Sequence, residues 1–342
     1  MRVSVGDRVV VRYRRRDAAE APPLSDVIGM LTDLSPDAVT VERESGVPVV
    51  IPRADVVACK AVPRKPVRAS EIRALEHAAA DAWPGVEQEL VGGWLLRAGR
   101  GVSLRANSAL PVDPTAATAD LLAALPAVVR WYARRGLVPR LHLPDRLLRT
   151  PTGWRAGPDV VVLTAPATVH PTSDSAVAAT PDASWSAHHP RFRDVPEVLT
   201  AVRNGEVAFL SRRDASGTAV SVARAAVTAT PAGTRVVSIA AVATHPDHRR
   251  RGHAAALCRD AVSWGAERGA VTALVQVESG GDAAALYAGL GFGEHHRYRY
   301  AEPEATEPAE PEATGWAEPE ATGWAEPEAT GWAEPEATDR PG

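Results

Sequence analysis

Three consecutive arginines, Arg249–Arg251, stand directly before Gly252, where a predicted β-strand ends and a helix is predicted over 250–268. The first N–H groups of a helix have no intrahelical partner, and the helix dipole adds positive potential at that end. Glycine has no Cβ, so a ligand can approach its backbone closely. Together these features predict a binding site for a pyrophosphate group. The residues fit neither a Walker phosphate loop nor a dinucleotide-binding Gly-x-Gly-x-x-Gly motif.

A second pattern, A-x-x-L-Y-x-x-x-G-F, occupies residues 283–292. It resembles a hallmark of the GNAT superfamily of N-acetyltransferases. The pattern R-x-x-G-x-A over 249–254, after a Val-Ala-Thr-His-Pro strand end, resembles motif A of the same superfamily. The resemblance covers roughly residues 183–300. The whole chain resembles actinobacterial members that carry an N-terminal SH3-like barrel and two α/β lobes.

The resemblance implies a GNAT-type mixed α/β sheet with flanking helices, and acetyl-CoA as the co-substrate. It implies that the strands ending at Ala243 and Val277 separate and that the pantetheine arm lies between them. A backbone N–H on the first of these strands would polarise the thioester carbonyl. The implied cofactor-binding residues are Val242, Ala243, Thr244, Arg249, Arg250, Arg251, Gly252, His253 and Ala254.

The resemblance also implies that Tyr287 protonates the leaving thiolate as a general acid. The other interpretation is that Tyr287 is a core aromatic residue of its helix. Many superfamily members carry a basic Glu on the strand before the pyrophosphate loop, but residues 236–241 contain no carboxylate. Glu278, at the end of the next strand, and His245 are the substitute candidates for a base. The leading function is therefore direct acetyl transfer to a primary amine, and the alternative is a non-catalytic acyl-CoA-binding regulator.

The chain is expected to divide into three folded parts, two linkers and a tail. β-Rich runs separated by turn residues predict an SH3-like barrel, whereas mixed helix and strand patterns predict the two lobes. An echo between residues 131–137 and 286–292 raises the alternative that the first lobe is a degenerate acetyltransferase-like half. The predicted segments are a barrel at 1–63, a linker at 64–68, a first α/β lobe at 69–165, a linker at 166–182, the acetyltransferase domain at 183–300 and a tail at 301–342.

The acceptor is expected to be a small-molecule or peptide amine. Amino acids, polyamines, antibiotics and protein N-termini all remain open. Four polar or aromatic side chains on or after the predicted strands 89–98 and 102–110 are candidate acceptor contacts, and ordinary packing is the alternative for each. These candidates are Trp94, Arg105, Asn107 and Ser108.

Composition excludes several classes of protein. Of the 342 residues, only Cys59 and Cys258 are cysteines, which argues against a disulfide scaffold or a zinc cluster, and no metal is expected. There is no long apolar run and no signal peptide, so a cytoplasmic protein without membrane association is expected.

Residues 301–342 repeat AEPEAT with almost no aliphatic side chains, which predicts a disordered acidic tail. Nucleic acid is not an expected partner, because acidic residues soon follow Arg12–Arg16 and no aromatic platform accompanies them. The sequence leaves the oligomeric state open.

Overall fold

The N-terminal part of the chain forms a five-stranded antiparallel sheet. The computed structural model describes residues 3–15, 23–43, 46–62, 66–171, 173, 175–279 and 282–304. The strands of the first sheet are β1 (Arg8–Arg14), β2 (Leu24–Leu34), β3 (Ala38–Glu42), β4 (Pro48–Pro52) and β5 (Val56–Ala61), in the order β4-β3-β2-β1-β5. Alternate residues such as Val9, Val11 and Val41 are buried, as expected for strands with one face on a core. The predicted small β-domain is confirmed, with β5 as an additional strand.

The next segment supplies helices and short strands around a second core. Its elements are α1 (Ala69–Ala82), β6 (Glu87–Val91), β7 (Trp94–Ala98), β8 (Leu110–Pro111), α2 (Thr118–Ala123), α3 (Leu125–Ala133), β9 (Leu141–Pro144) and β10 (Trp154–Pro166). β6, β7 and β8 form a three-stranded sheet. The helix expected over 115–135 is interrupted at Ala124, because Pro126 has no N–H and is suited to the first turn of a new helix.

Two predicted strands of this segment are wrong. The strand expected over 89–98 is a hairpin that turns at Gly92 and Gly93, both of which have positive φ. The strand expected over 102–110 is a loop with one 3₁₀ turn at Arg105–Asn107. The Asn107 side chain holds this loop by bonding to the backbone of residues 99, 101, 102 and 103, so local hydrogen bonds replace strand pairing.

The largest sheet contains eight strands. The remaining elements are β11 (Ala176–Ala178), α4 (Ala183–Ser186), α5 (Pro196–Thr200), β12 (Glu206–Arg213), β13 (Ala219–Ala229), β14 (Arg235–Thr244), α6 (His253–Glu267), β15 (Thr272–Glu278), α7 (Asp282–Gly289) and β16 (Gly293–Pro303). The strand order is β11-β12-β13-β14-β15-β10-β16-β9. Only β14 and β15 are parallel, because the helix α6 crosses between them. The mixed α/β fold class is confirmed.

The sheet differs from the expected division into two separate lobes. β10, from the first predicted lobe, pairs with β15 on one side and β16 on the other. Val161 and Leu163 of β10 share a core with Leu257 of α6 and Val275 of β15. The segments 69–165 and 183–300 therefore complete one sheet, in which β10 is hydrogen-bonded along both edges.

The expected linker and tail boundaries also shift. The predicted linker at 166–182 contains β11, which pairs with β12. Ala301 is fully buried in β16, and Glu302 forms an ion pair with Arg140, so the fold extends to Pro303. The tail from 305 onward, residue 63 of the predicted barrel and residues 64 and 65 of the first predicted linker lie outside the described residues. Within the described part of the chain, no helix is long and apolar enough to cross a membrane.

Candidate acetyl-transfer site

Strand β14 contains a bulge at the point where it leaves its parallel neighbour. Val222 of β13 lies opposite Ala243, whereas Arg224 lies opposite Ala240, so Ala241 and Val242 together face one residue. Ala241 has a φ of +50°, which is unfavourable for a residue with a Cβ. The pairing of β14 with β15 stops at Ile239 and Val275. A bulge leaves backbone groups outside the ladder, so β14 presents polar backbone to the gap between the strands.

Helix α6 begins directly after this strand end. Gly252 precedes the helix with a φ of +81°, the left-handed conformation that glycine adopts without strain. A Cβ built at Gly252 would meet no atom within 4 Å, so the space beside the helix end is open. The Arg249 side chain donates to the carbonyl of Thr244 at 3.3 Å, which ties the basic turn to the end of β14. Positive charge, free space and helical N–H groups therefore coincide here.

A cavity of about 770 Å³ follows this end of the sheet. Eight of the nine predicted cofactor-binding residues line it: Val242, Ala243, Thr244, Arg249, Arg250, Gly252, His253 and Ala254. Arg251 is not among the lining residues. The opposite wall comes from α7, through Ala283, Ala285, Leu286 and Tyr287. A cationic end and an apolar middle suit a ligand with a pyrophosphate and an uncharged arm, which is the chemistry of coenzyme A.

Tyr287 is 5% exposed and lies between two cavities. Its ring packs edge-on against Phe292, with the ring centroids 5.5 Å apart. Burial raises the pKa of Tyr287 well above its usual value, and a hydrogen bond from its hydroxyl to Cys258 raises it further. Burial also raises the pKa of the Cys258 thiol to about 12. At neutral pH Tyr287 therefore keeps its proton, as a general acid requires.

The second cavity, of about 580 Å³, adjoins the first. The two cavities share Val242, Ala283 and Tyr287. Glu278, the candidate base, lines the second cavity and is exposed at the end of β15. Arg105 lines it from the 3₁₀ turn.

Three of the four candidate acceptor contacts line neither cavity. Trp94 is fully buried, and its indole N–H donates to the carbonyl of Leu121 at 3.0 Å. Asn107 braces its own loop, as described above. The Ser108 hydroxyl accepts from the buried guanidinium of Arg97 at 2.9 Å. These three side chains therefore have structural roles in packing and turns, which was the alternative to contact with the acceptor. Of the four candidates, Arg105 alone lines the second cavity.

Several side chains of the second cavity were missed by sequence reasoning. They are Trp83, His189, Arg191, Gln276, Tyr298 and Tyr300, which come from four separate segments. The spacing of Tyr298 and Tyr300 on a predicted strand was the one usable signal, because residues two apart share a face. His189 donates a ring N–H to the carbonyl of Ala241 at 3.0 Å and so holds the bulge. Burial lowers the pKa of His189 to about 4, which keeps the ring neutral.

A buried charged cluster lies beside the tyrosines. Glu76 accepts from His296 at 2.8 Å, and His142 lies 3.4 Å from its other carboxylate oxygen. Burial alone would raise the pKa of Glu76, but the two histidines outweigh it and the pKa is lowered. The ring of His142 packs against that of Tyr298, with 3.9 Å between centroids. The cluster thereby fixes one wall of the second cavity. In the described ranges, no group of three or more His, Cys, Asp or Glu side chains is arranged so that it could hold a metal ion.

Comparison with known proteins matches nearly all of the described chain. Residues 69–301 match the family model described as "Probable histone acetyltransferase Rv0428c C-terminal", and residues 3–60 match "Rv0428c N-terminal Sm-like domain". The chain is 41% identical over 308 residues to the Mycobacterium tuberculosis protein named "Probable histone acetyltransferase Rv0428c", with 88% of this chain and 96% of that protein covered.

Similar solved structures include two acetyltransferases. A GCN5-related N-acetyltransferase from Kribbella flavida is 18% identical with a TM-score of 0.48, and covers 69% of this chain and 95% of its own. A putative GNAT-family acetyltransferase from Novosphingobium aromaticivorans is 19% identical with a TM-score of 0.47, and covers 67% of this chain and 98% of its own.

Proposed function

The chain belongs to the Rv0428c family of GNAT-type acetyltransferases, and from this premise we propose that it transfers the acetyl group of acetyl-CoA directly to a primary amine. The observation that carries the proposal is the meeting of two cavities at Tyr287. One cavity has the charge and shape for coenzyme A, and the other is open to an acceptor. A thioester at their junction would be reachable from both sides.

The cofactor would be held mainly by groups at the start of α6. Arg249, Arg250 and the helical N–H groups after Gly252 supply positive charge for the pyrophosphate. The backbone of Val242, Ala243 and Thr244 would bond to the pantetheine arm, which itself carries amide groups. Acetyl-CoA supplies the activated acyl group, and the protein supplies position and polarity.

The chemistry of this chain is acid catalysis and polarisation. A backbone N–H at the Ala241–Val242 bulge would donate to the thioester oxygen as the acceptor nitrogen bonds to the carbonyl carbon. The carbon–sulfur bond breaks, and Tyr287 donates its hydroxyl proton to the thiolate sulfur. The proton lost by the amine passes to Glu278 or to solvent. Binding of acceptor and thioester side by side provides the remaining acceleration.

One observation supports the alternative of a non-catalytic acyl-CoA-binding regulator. Glu278 is the one carboxylate lining the second cavity in the described part of the chain, and it is exposed to solvent. Steady-state release of coenzyme A, measured with a panel of amines and with a lysine-bearing peptide, separates the two functions. Turnover with any acceptor supports transfer. Tight binding of acetyl-CoA with no release above the amine-free rate would support the regulator.

A further inference from the structure

The wall of the second cavity opposite Tyr287 is cationic. Arg105 and Arg191 both line the cavity, and Arg224 lies directly behind it against the ring of Trp83. Burial, with the charge of Arg105 added, lowers the pKa of Arg224 to about 9. Partial burial and the charge of Arg105 also lower the pKa of Arg191. The charge of Arg105 therefore acts on both other guanidinium groups, and an anion held between Arg105 and Arg191, which line the same cavity, would offset it.

Hydrogen-bond donors on this wall are also in surplus. Three buried donors, Trp83 Nε1, Arg105 Nε and Gln276 Nε2, and one buried acceptor, Gln276 Oε1, have no hydrogen-bond partner among the described residues. Trp83 is 4% exposed, so its indole N–H has no access to bulk water. Buried donors without partners destabilise a folded protein, and native proteins rarely contain them. A ligand oxygen that accepts from these groups would remove that destabilisation.

Acidic side chains are few in the lining of this cavity. Glu278 is the one acidic side chain among the lining residues that the structure describes, and it lies at the exposed end of β15. His189, the remaining basic group on the cavity, is neutral because burial holds its pKa near 4. Tyr298 and Tyr300 add hydroxyl groups to the lining. The residues that line the cavity therefore supply two guanidinium groups and one exposed carboxylate, while the buried carboxylate of Glu76 acts on Arg105 from outside the cavity.

We propose that the acceptor is a small amine that also carries a carboxylate, such as a free amino acid. This proposal rests on the acetyl transfer proposed above and names its acceptor class. The amine would lie at the junction beside Tyr287, and the carboxylate would lie between Arg105 and Arg191. Arginine presents paired N–H donors that match the two oxygens of a carboxylate. A polycationic acceptor, such as a lysine-rich protein tail, would bring like charge to this wall.

The test compares acceptors that differ only in the carboxylate. L-Alanine, β-alanine and L-phenylalanine are each paired with the corresponding amide, and spermidine and a lysine-rich peptide represent polycations. The measured quantity is kcat/KM for coenzyme A release by the full-length protein. We expect at least one amino acid to exceed its amide by about 10- to 100-fold, the effect of one or two charge-assisted hydrogen bonds. Polycations should be poorer acceptors.

Variants assign the preference to the cationic wall. Arg105→Gln should reduce the ratio of kcat/KM for the amino acid to kcat/KM for its amide to within a few-fold of one, because it removes one of the two guanidinium groups that would hold the carboxylate. Arg191→Gln, at an exposed position, should reduce the ratio as well if Arg105→Gln proves unstable. Arg130→Gln is the matched control, because Arg130 is an exposed arginine on α3 that lines neither cavity.

A binding measurement separates this inference from the transfer reaction itself. N-Acetyl-L-alanine and N-acetyl-L-alaninamide are compared for their effect on the unfolding temperature in the presence of coenzyme A. Preferential stabilisation by the carboxylate with no turnover of any amine would support the anion site and overturn acetyl transfer. Equal turnover of acids and amides, or a preference for polycations, would overturn the carboxylate inference and leave acetyl transfer standing. Absence of both binding and turnover would overturn both.

Discussion

Replacing Tyr287 with phenylalanine tests the proposed acid directly. The ring stays, so its contact with Phe292 and its place in the core are kept and only the hydroxyl is lost. A general acid contributes about 10²–10⁴-fold to a proton transfer. Thiolate is a fairly good leaving group, so we expect the lower end of that range, about 10²-fold or less. The lost hydrogen bond to Cys258 should cost about 1 kcal/mol of unfolding free energy.

The chemical step is best followed in single turnovers with acetyl-CoA bound and amine in excess, because steady-state rates can be limited by product release. Coenzyme A affinity should change little, since phosphate binding depends on the far end of the cavity. A slower chemical step with unchanged affinity and a folded protein is the expected result.

Cys258→Ala is the matched control, because it removes the hydrogen-bond partner of Tyr287 and leaves the phenol in place. Its chemical rate should stay within a few-fold of the wild type. If Tyr287→Phe also reacts at the wild-type rate, the acid assignment is refuted. Tyr287 would then be a core aromatic residue, and water would be the proton donor.

Three further outcomes follow from the structure. Arg249→Ala should weaken coenzyme A binding by about 10- to 100-fold and leave pantetheine binding unchanged, measured by calorimetry, whereas Arg251→Ala should have a smaller effect because Arg251 does not line the cavity. A chain ending at Glu304 should have the wild-type melting temperature, whereas a chain ending at Tyr300 should have a lower one. Equal melting temperatures for the two truncated chains would contradict the assignment of the last three residues of β16 to the core. The folded pKa of His189 lies below the unfolded value of about 6.5, so its contribution is intact above pH 6.5 and is lost as pH falls toward 4. His189→Gln should therefore reduce the acid loss of unfolding free energy by up to about 3 kcal/mol in denaturant titrations at pH 4–7, and an unchanged pH profile would show that this imidazole is not buried as described.

The cofactor cavity was predictable because its determinants are local in the sequence. The strand end, the arginine turn and Gly252 lie within about ten residues, and their spacing alone fixes a strand, a left-handed residue and a helix start. Tyr287 belongs to a second local pattern. Local sequence patterns are sufficient to predict a site when the residues that form it are neighbours in the sequence.

The acceptor cavity was not predictable in the same way. Gln276 of β15 and Tyr298 of β16 face one cavity because β10 lies between these two strands. The sequence of a short apolar strand does not indicate which strands it will pair with. Asn107 was wrongly predicted as an acceptor contact. Its side chain bonds to the backbone of its own loop, and such bonds produce no periodic pattern in the sequence. In the sequence analysis, polar residues near predicted strands were interpreted as contacts to the acceptor. In the structure, Asn107 and Ser108 form hydrogen bonds within the protein instead.

The position of β10 also has a consequence for the nascent chain. β10 is complete at Pro166, but its second neighbour ends at Pro303, which is 137 residues later. At about 5–20 residues per second, the ribosome needs roughly 7–30 s to supply that neighbour. The run Val160–Ala165 is an apolar segment with both edges open until β15 is complete at Glu278, and with one edge open until β16 is complete; segments of this kind associate with other chains. Pro158 and Pro166 bracket that run and lack the N–H that a foreign strand would need, so they act as gatekeepers until translation delivers β16.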